Sequence, residues 1–504
     1  MPMQKLLKQV LTSKVYEAAV ETPLEEAPVL SADFGNRVLL KREDLQPVFS
    51  FKIRGAYNKI AHLSHEDRQQ GVIAASAGNH AQGVAFAARR LGIAATIVMP
   101  VTTPTIKVAA VQGFGAQVVL YGDNYSEAAE HCERLVAETG MAFVHPFDDE
   151  LVIAGQGTVG DELLRQSAGQ IDAVFVPVGG GGLIAGIGAY LKALRPEIKV
   201  IGVEPLESDA MAHSLEANRR VMLDSVGIFA DGVAVRQVGK LTFEICRQCV
   251  DAMVRVDTDE ICSAIKNVYQ ATRSIAEPAG ALALAGLKRY VREEGIEGQR
   301  LVAIVSGANM NFDRLRYVAE RTMVGERQEA LFAVTIPEEP GSLRRFCSEV
   351  VGDRNITEFN YRLAGRDAAH IFVGIAIRGD AERLLFAERL KACGFAAVDL
   401  TDNELAKDHV RYMVGGRSPV VKTERLLRFW FPERPGALDR FLSTMGADWN
   451  ISLFHYRLHG GDFGRVLIGL ELPEGQEREL KAFLDGLGYR YVEESRNPVY
   501  GLFL

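Results

Sequence analysis

Residues 172–191 read DAVFVPVGGGGLIAGIGAYL and carry the clearest structural signal in the chain. A short β-branched run is followed at once by four consecutive glycines, Gly179 to Gly182, and then by the apolar pattern of a helix. Glycines between a strand and a helix leave backbone N–H groups free to surround a phosphate at the helix N-terminus. The stretch therefore predicts a strand–loop–helix unit of an α/β protein with an anion-binding loop.

The same glycines also fit a second kind of site. Gly180, Gly182 and Ala185 satisfy the spacing G-x-G-x-x-A, and Glu204 lies 24 residues after Gly180, at the end of the next apolar run. A nicotinamide dinucleotide site has this pattern, in which the acid binds a ribose hydroxyl. On this loop alone, the sequence leaves a dinucleotide site and a single-phosphate site both open.

From about residue 72 to residue 320, short β-branched runs alternate with longer helical patterns. The runs include VIAAS, AATIVMP, AQVVLYG, KVIGVE and RLVAIVS. This alternation predicts a mostly parallel sheet, and ligands of such sheets bind at the carboxyl ends of the strands. The loops that follow these runs are therefore the candidate site.

Two further loops at such strand ends are unusual. The loop SAGN, residues 76–79, precedes an alanine-rich helix and presents N–H groups and the positive end of a helix dipole to an anion. Capping of that helix by Asn79 is the alternative. The loop SGAN brings Ser306 next to Gly307, where a hydroxyl can reach a ring nitrogen, although a plain turn has the same composition.

The decapeptide SFKIRGAYNK, residues 50–59, places Lys52 between two apolar residues, with Arg54 and Lys59 nearby to repel it. Either its aliphatic stem packs on those neighbours while the ammonium reaches water, or its amine is kept neutral as a nucleophile. A cofactor with a phosphate, an aldehyde and a pyridine ring needs a phosphate cradle, an amine and a partner for the ring nitrogen. The glycine run, Lys52 and Ser306 supply the three, so the nucleophile is favoured.

Composition excludes several classes of protein. With 504 residues the chain allows two to four domains, and its net charge of −8 gives no reason to expect nucleic acid or an anionic membrane as a partner. No stretch has the length and apolarity of a signal peptide or a membrane span.

Cys246 and Cys249 have C-x-x-C spacing without a second pair for zinc, which favours two thiols on a helix over redox or metal use. We expect a cytoplasmic protein with a small-molecule ligand.

After about residue 325 the chain repeats itself. PEEPGSLRRF at 337–346 matches PERPGALDRF at 432–441, and NITEFNYRL at 355–363 matches NISLFHYRL at 450–458, both with an offset of 95 residues. The constant offset predicts a duplicated α+β module of ferredoxin-like order. The charged stretch at 402–425 is the predicted linker between the two copies.

The segments SFKIRGAYNK, SAGNHAQG, VGGGGL, EPAG and SGAN, in this order and followed by the duplicated module, resemble the biosynthetic threonine deaminases (threonine ammonia-lyases). That family belongs to fold type II, the tryptophan-synthase-β-like group of pyridoxal-phosphate enzymes. The resemblance implies a catalytic domain of two parallel-sheet subdomains over residues 1–324, which binds pyridoxal 5'-phosphate. It further implies two ACT-like regulatory domains over residues 325–401 and 424–504, and a homotetramer.

The resemblance also implies roles for single residues. Lys52 would bind the cofactor aldehyde covalently and accept the substrate α-proton, and Glu277 would belong to the surroundings, although an acid before Pro278 is equally explained as a helix start. No metal is assigned. The implied cofactor contacts are Phe51 against the ring, Asn79 at its phenolic oxygen, Ser306 at its nitrogen, and Gly179, Gly180, Gly181, Gly182 and Leu183 at the phosphate. The implied contacts of the substrate carboxylate are Ser76, Ala77, Gly78, Asn79 and His80.

The implied reaction converts L-threonine, and secondarily L-serine, to a 2-oxo acid and ammonia, which for threonine is the first step committed to isoleucine. Ala77 stands where similar serine racemases have a second acid/base serine, so elimination is expected instead of racemisation. The modules imply inhibition by isoleucine and antagonism by valine. Candidate effector contacts are Tyr361, Arg362, Tyr456 and Arg457, with strand packing as the alternative for the tyrosines.

Three other functions stay open at this point. The first is another fold type II activity, such as serine dehydration or racemisation. The second is a nicotinamide-dependent dehydrogenase built on the Gly180 pattern, and the third is an amino-acid sensor that uses only the duplicated module. A nucleophilic Lys52 argues against the sensor.

Overall fold

The computed structural model describes residues 3–167, 169–337, 342–361, 368–412, 423–432, 440–441, 444–445, 449–457, 463–473 and 475–503. Residue contacts divide the chain into two compact units, Met1–Phe312 and Asp313–Leu504. Among the described residues, no helix combines the length and the apolar composition that a membrane span requires.

The first unit contains a six-stranded sheet with the quoted stretch near its centre. Its strands are β1 (Leu24–Glu26), β2 (Arg37–Arg42), β7 (Ala173–Pro177), β8 (Lys199–Pro205), β9 (Ala252–Val256) and β10 (Arg300–Val305). They lie in the order β1-β2-β10-β7-β8-β9, and every neighbouring pair is parallel except β1 with β2. The glycine run therefore follows a central strand, β7.

A second sheet in the first unit has four parallel strands. These are β3 (Val72–Ala75), β4 (Ala95–Met99), β5 (Gln117–Leu120) and β6 (Ala142–Phe143), in the order β5-β4-β3-β6. All three pairings in this sheet are parallel. The predicted pair of parallel-sheet subdomains is confirmed.

Helices surround both sheets and separate their strands along the chain. Their bounds are α1 (Met3–Leu11), α2 (Pro28–Phe34), α3 (Lys52–Ala61), α4 (His65–Gln70), α5 (Asn79–Leu91), α6 (Thr105–Gly113), α7 (Tyr125–Thr139), α8 (Glu150–Gln166), α9 (Gly182–Leu194), α10 (Ala210–Glu216), α11 (Lys240–Cys249), α12 (Thr258–Thr272) and α13 (Pro278–Glu294). Short 3₁₀ turns cover Val15–Glu17, Glu43–Leu45 and Asp231–Val233.

Close backbone approach fixes the position of α3, the helix that begins at Lys52. A Cβ atom on Gly155 of α8 would lie 2.7 Å from the carbonyl oxygen of Arg54, so α8 can pack this tightly only because the residue is glycine. On α5, a Cβ atom on Gly83 would lie 3.2 Å from the Lys52 backbone. Two neighbouring helices thus hold the Lys52 backbone in place.

The second unit consists of helices and two four-stranded antiparallel sheets. The first sheet contains β11 (Glu329–Pro337), β12 (Ile356–Tyr361), β13 (Ala368–Ala376) and β14 (Ala396–Asp399) in the order β12-β13-β11-β14. The second contains β15 (Glu424–Pro432), β16 (Asn450–Arg457), β17 (Phe463–Glu471) and β18 (Tyr491–Glu493) in the order β16-β17-β15-β18. The helices are α14 (Arg314–Gly325), α15 (Ser342–Phe346), which continues as a π-helix over Cys347–Val351, α16 (Asp380–Ala392), α17 (Glu404–Asp408), α18 (Glu477–Leu487) and α19 (Pro498–Phe503), with a 3₁₀ turn at Val410–Tyr412.

The offset of 95 residues found in the sequence also relates side-chain contacts in the two sheets. The Thr357 hydroxyl donates to the carboxylate of Glu329, and the Ser452 hydroxyl donates to that of Glu424, which is the corresponding residue. The pairing register shifts at the same place in both copies, between residues 356 and 358 and between residues 451 and 453. The duplication is therefore one of structure and of sequence.

The stretch at 402–425 differs from the predicted plain linker. Its first part folds into α17 and the 3₁₀ turn, residues 413–422 lie outside the described residues, and β15 begins at Glu424. Leu405, Ala406 and Val410 are buried in one apolar cluster with Leu331 of β11 and Leu426 of β15. The linker is partly a packed helix, because these apolar residues are buried against both sheets.

Candidate active site

The loops at the carboxyl ends of the strands line one cavity in the first unit. Residues more than 250 positions apart in the chain meet there, among them Lys52, the glycine run and Ser306. The lining residues are Phe51, Lys52, Asn79, Phe147, Pro177, Gly179, Gly180, Gly181, Gly182, Leu183, Gly232, Val233, Glu277, Ala279 and Ser306.

Lys52 is the first residue of α3, and its side chain reaches into the cavity. Its Nζ donates a hydrogen bond of 2.9 Å to the carbonyl oxygen of Pro146 and lies 5.3 Å from the centre of the Phe51 ring. Burial lowers the pKa of Lys52 from 10.5 to about 8, against the opposing negative charge of Glu277. At neutral pH, about a tenth of such an amine is uncharged, which makes it usable as a base or nucleophile.

Arg54 and Lys59, the two cations near Lys52 in the sequence, both form ion pairs. Arg54 is fully buried and binds the carboxylates of Glu43 at 2.7 Å and Glu162 at 2.6 Å. Lys59 binds Asp149 at 2.7 Å. The expected repulsion is therefore offset by paired carboxylates, and burial is the main cause of the lowered pKa of Lys52.

The loop SAGN leads from β3 into α5, with Asn79 as the first helical residue. The side chain of Asn79 caps no helix N–H group. Instead its Nδ2 donates to Oε1 of Glu277, while its Oδ1 accepts a hydrogen bond of 2.7 Å from Asn309. The capping role that the sequence left open is wrong, and the Asn79 amide is held on both sides beside Lys52.

The other predicted substrate contacts, Ser76, Ala77, Gly78 and His80, are not among the residues that line the cavity. Gly78 donates its backbone N–H to the Ser76 hydroxyl at 3.2 Å, and Ala77 is half-buried. His80 is buried, and its Nε2 donates to the carbonyl oxygen of Val144 at 2.8 Å. Burial, reinforced by the charge of Lys52, lowers the pKa of His80 to about 3, so this imidazole is neutral.

Glu277 occupies the position just before α13, where an acid often caps a helix. Its side chain makes no capping hydrogen bond. It is 4% exposed and accepts from Asn79, and a Cβ atom on Gly307 would lie 2.5 Å from its Oε1. Glu277 therefore belongs to the cavity wall, and the helix-start explanation does not account for its side chain.

The glycine run lines the cavity between β7 and α9. Gly181 has a φ of +94°, a conformation that favours glycine. No described residue accepts a hydrogen bond from the backbone N–H groups of Gly180, Gly181, Gly182 or Leu183, which stand at the start of a 13-residue helix. Four such donors and a helix dipole fit a phosphate group.

Ser306 follows β10 and is 3% exposed. Its hydroxyl donates to the carbonyl oxygen of Ala279 at 3.2 Å, and its own carbonyl oxygen accepts from the Phe51 N–H at 3.2 Å. An isolated bridge joins Ser50 to Gly307. The SGAN loop is thus bonded directly to the segment that carries Lys52.

The position of Glu204 argues against the nicotinamide dinucleotide site that the sequence left open. Its carboxylate is fully buried and accepts 2.9 Å hydrogen bonds from the backbone N–H groups of Met211 and Ala212. Burial raises the pKa of Glu204 to about 8. Glu204 does not line the cavity and has no exposed surface, so it is not placed to bind the ribose hydroxyl of a dinucleotide.

Several residues at the cavity could not be identified from any motif in the sequence. Pro146 accepts from Lys52, and the ring of Phe147 lies so close to the glycine run that a Cβ atom on Gly180 would be 2.2 Å away from it. Both come from HPFDD, an ordinary turn composition after β6.

Cys246 and Cys249 are free, buried thiols on α11, which agrees with the prediction of two thiols on a helix.

The side chains of the four candidate effector contacts lie outside the part of the chain that the structure describes. Tyr361 is the last residue of β12, and Tyr456 and Arg457 end β16, but their side chains lie outside the described residues. Arg362 lies outside them altogether. These four assignments stay predictions.

Two family models match the chain. Residues 15–307 match the model described as pyridoxal-phosphate dependent enzyme, and residues 320–410 and 415–504 match the C-terminal regulatory domain of threonine dehydratase. A biosynthetic L-threonine dehydratase of Burkholderia multivorans is 60% identical over 99% of both chains. That of Escherichia coli is 52% identical over 99% of this chain and 96% of its own length.

Solved structures agree with the sequence matches. The processed form of threonine deaminase isoform 2 from Solanum lycopersicum has a TM-score of 0.62 and 50% identity, over 63% of this chain and 88% of its own. A serine racemase from Dictyostelium discoideum has a TM-score of 0.56 and 32% identity, over 61% of this chain and 98% of its own.

Proposed function

The chain belongs to the pyridoxal-phosphate-dependent threonine dehydratases, and from that premise we propose that it deaminates L-threonine to 2-oxobutanoate and ammonia, with L-serine as a secondary substrate. The observation that carries the proposal is that Lys52, the glycine run and Ser306 line a single cavity. The lowered pKa of Lys52 and the four free amide donors suit a cofactor with an aldehyde and a phosphate.

When bound, the cofactor withdraws electrons from the substrate and makes its α-C–H bond acidic. Lys52 Nζ is the base that accepts this proton, because its lowered pKa leaves part of the amine neutral. The carbonyl oxygen of Pro146, 2.9 Å from Nζ, fixes the direction in which the amine points. Loss of the β-hydroxyl as water, followed by uptake of water with release of ammonia, balances the reaction.

The remaining polar groups orient the reactants. Asn79 has one amide hydrogen beyond the one it donates to Glu277, and we assign it to the ring's phenolic oxygen. Ser306 offers the ring nitrogen a hydroxyl, which does not stabilise a protonated ring as a carboxylate does. The amides of residues 76–79, at the start of α5, receive the substrate carboxylate. Phe51 packs against the ring, and residues 179–183 hold the phosphate.

Racemisation is the competing reaction, since serine racemases are among the structural relatives. Racemisation needs a second acid/base group on the opposite ring face, and the methyl group of Ala77 supplies none. The proposal therefore predicts elimination products and no D-amino acid.

We assign regulation to the second unit. Two matches to the regulatory domain of threonine dehydratase and two sheets of the same strand order support two ACT-like modules at residues 325–401 and 424–504, after a catalytic domain over 1–324. Isoleucine is the proposed inhibitor and valine its antagonist, with Tyr361, Arg362, Tyr456 and Arg457 as contacts. A coupling free energy of about 1 to 3 kcal/mol between the two sites means that a bound effector changes the affinity for the substrate 5- to 150-fold.

Removal of residues 325–504 tests this assignment. The shortened chain is expected to keep part of its threonine turnover and to lose its response to isoleucine. Persistent inhibition by isoleucine in the shortened chain would place the effector site elsewhere.

We further propose that the protein is a homotetramer. Light scattering coupled to gel filtration measures the mass of the assembly and tests this proposal. Its cytoplasmic location is consistent with six free cysteines, which suit a reducing compartment.

The deciding experiment is an absorption spectrum of the purified protein with and without threonine, together with an assay for 2-oxobutanoate. We expect a visible band from covalently bound cofactor, a change of that band on addition of threonine, and production of 2-oxobutanoate faster than pyruvate from serine. Faster turnover of serine, or formation of D-serine, would favour the competing activities.

A further inference from the structure

We propose that Thr242, near the N-terminus of α11, is a positioning residue that aims the N–H groups of the glycine run at the cofactor phosphate. The inference rests on the proposed phosphate site at residues 179–183. Thr242 itself does not line the cavity, so its effect is exerted through the loop backbone.

Two donors from the α11 end bind the carbonyl oxygen of Gly180. Thr242 is fully buried, and its hydroxyl donates to this oxygen at 2.6 Å. The backbone N–H of Gly239 donates to the same oxygen at a longer 3.3 Å. The short hydroxyl contact is therefore the stronger of the two restraints.

The direction of the neighbouring N–H group follows from peptide geometry. In a planar trans peptide, the C=O of one residue and the N–H of the next point in opposite directions. Because the Gly180 carbonyl points to Thr242, the N–H of Gly181 points away from α11. The carbonyl oxygen of Gly181 accepts from Ala185 at 2.9 Å and lies 4.0 Å from the Cys246 thiol, so the Gly182 N–H is directed in the same way.

The loop has little room to turn over against this helix. A Cβ atom on Gly181 would lie 2.6 Å from the Met211 methyl group and 3.0 Å from Cβ of Thr242. The α11 N-terminus is itself fixed, since the Asp148 carboxylate accepts from the backbone N–H groups of Lys240 and Leu241 at 2.8 Å. A rigid helix end and a short hydroxyl contact thus define the orientation of the loop.

A purely structural role for Thr242 predicts a different result from a positioning role. If the hydroxyl only stabilises the fold, its removal lowers the unfolding midpoint and affects all ligands alike. If it aims the loop amides, its removal weakens binding of the phosphate group specifically. Pyridoxal has the same ring and aldehyde as pyridoxal 5'-phosphate but no phosphate, so the two compounds separate the roles.

The test compares apoenzyme of the natural chain with Thr242→Val, which keeps the shape and removes the hydroxyl. We expect the Kd of pyridoxal 5'-phosphate to rise about tenfold, as for loss of one hydrogen bond of about 1.4 kcal/mol, while the Kd of pyridoxal stays within about twofold. Thr242→Ser keeps the hydroxyl and is expected to bind both compounds like the natural chain. Thr242→Ala replaces the valine variant if that variant does not fold.

Thr272→Val is the matched control. Its hydroxyl donates to a backbone carbonyl, that of Val268, at 2.7 Å in α12 and accepts from the Ser274 N–H at 3.1 Å, and Thr272 is not among the cavity-lining residues. This variant is expected to leave both dissociation constants unchanged.

Two results would overturn the inference: equal weakening of both compounds in Thr242→Val, or no weakening of either. A failure of the phosphate site itself has another signature. In that case the natural chain would bind pyridoxal as tightly as pyridoxal 5'-phosphate, before any substitution is made.

Discussion

Two cations in the first turn of α3 have opposite environments, since Lys52 is half-buried and Arg54 is fully buried. Lys52 faces the cavity, and its Nζ donates to a single carbonyl oxygen, that of Pro146. Two residues later, Arg54 is fully buried and binds two carboxylates, Glu43 and Glu162, through several hydrogen bonds. The same helix thus carries a reactive amine and a fully neutralised guanidinium.

Lys41 makes the contrast sharper, since it is a lysine and is fully buried. Its Nζ donates to the Glu162 carboxylate and to the Thr22 carbonyl, each at 2.5 Å, and to the Gln166 side chain at 2.9 Å. Burial lowers the pKa of Lys41 as well, but the nearby carboxylates of Glu162 and Glu43 oppose the effect.

The difference between Lys41 and Lys52 is therefore one of partners. A buried amine with three acceptors, one of them a carboxylate, is fixed by these hydrogen bonds and contributes to structure. A half-buried amine with one neutral acceptor, as in Lys52, keeps a neutral fraction at physiological pH and can react. Substitutions on the two sides of this contrast should therefore affect different properties, activity at Lys52 and stability at the paired cations.

The largest effect is expected from Lys52→Ala. Loss of the base and of the covalent attachment should lower kcat for threonine by about 10⁴-fold or more and remove the visible band of bound cofactor. The unfolding midpoint should change little, since Nζ forms no ion pair in the described contacts and its one hydrogen bond is to a neutral carbonyl oxygen. A variant that keeps both its visible band and its turnover would break the contrast.

The next largest effect is expected from Arg54→Met. Removal of the guanidinium leaves Glu43 and Glu162 without a main partner, which should lower the free energy of unfolding by about 3 to 5 kcal/mol. Chemical denaturation of the purified variant measures it. Arg165→Met is the matched control, because Arg165 pairs with Asp161 and Glu21 at the surface, where such pairs contribute about 0 to 1 kcal/mol. Equal losses in the two variants would mean that the buried network contributes no more than a surface pair.

The smallest effect is expected from Glu277→Gln, which keeps an acceptor for Asn79 and removes a negative charge near Lys52. Lys52 accepts a proton only when neutral, so kcat falls as the pH drops through its pKa of about 8. The charge of Glu277 raises that pKa, and its removal should therefore shift the acidic limb of the kcat–pH profile to lower pH, by about half a unit to one unit. A shift to higher pH would show that Glu277 does not act through the charge of Lys52.

Much of the fold and part of the cavity follow from local patterns in the sequence. The glycine run, Lys52 and Ser306 could be assigned to one cavity because each stands at a recognisable strand or helix end, whereas the role of Asn79 came from the family resemblance. The repeat offset of 95 residues predicted two equal modules, and the two sheets have the same strand order.

The features that were missed depend on contacts between distant segments. Phe147 and Thr242 meet the glycine run, yet each lies in an ordinary sequence and nothing local marks it. The partners that neutralise Arg54 come from Glu43 and from Glu162, which is 108 residues away, so the expected repulsion of Lys52 could not be checked beforehand. The packed helix α17 in the linker depends in the same way on burial against two sheets.

Reduction of the holoenzyme with sodium borohydride, followed by peptide mass mapping, tests the central contrast most directly. The reagent fixes the cofactor irreversibly to the lysine that binds it. We expect a phosphopyridoxyl group on Lys52 alone and an unmodified Lys41. Modification of Lys41 or of another lysine, with Lys52 unmodified, would contradict it.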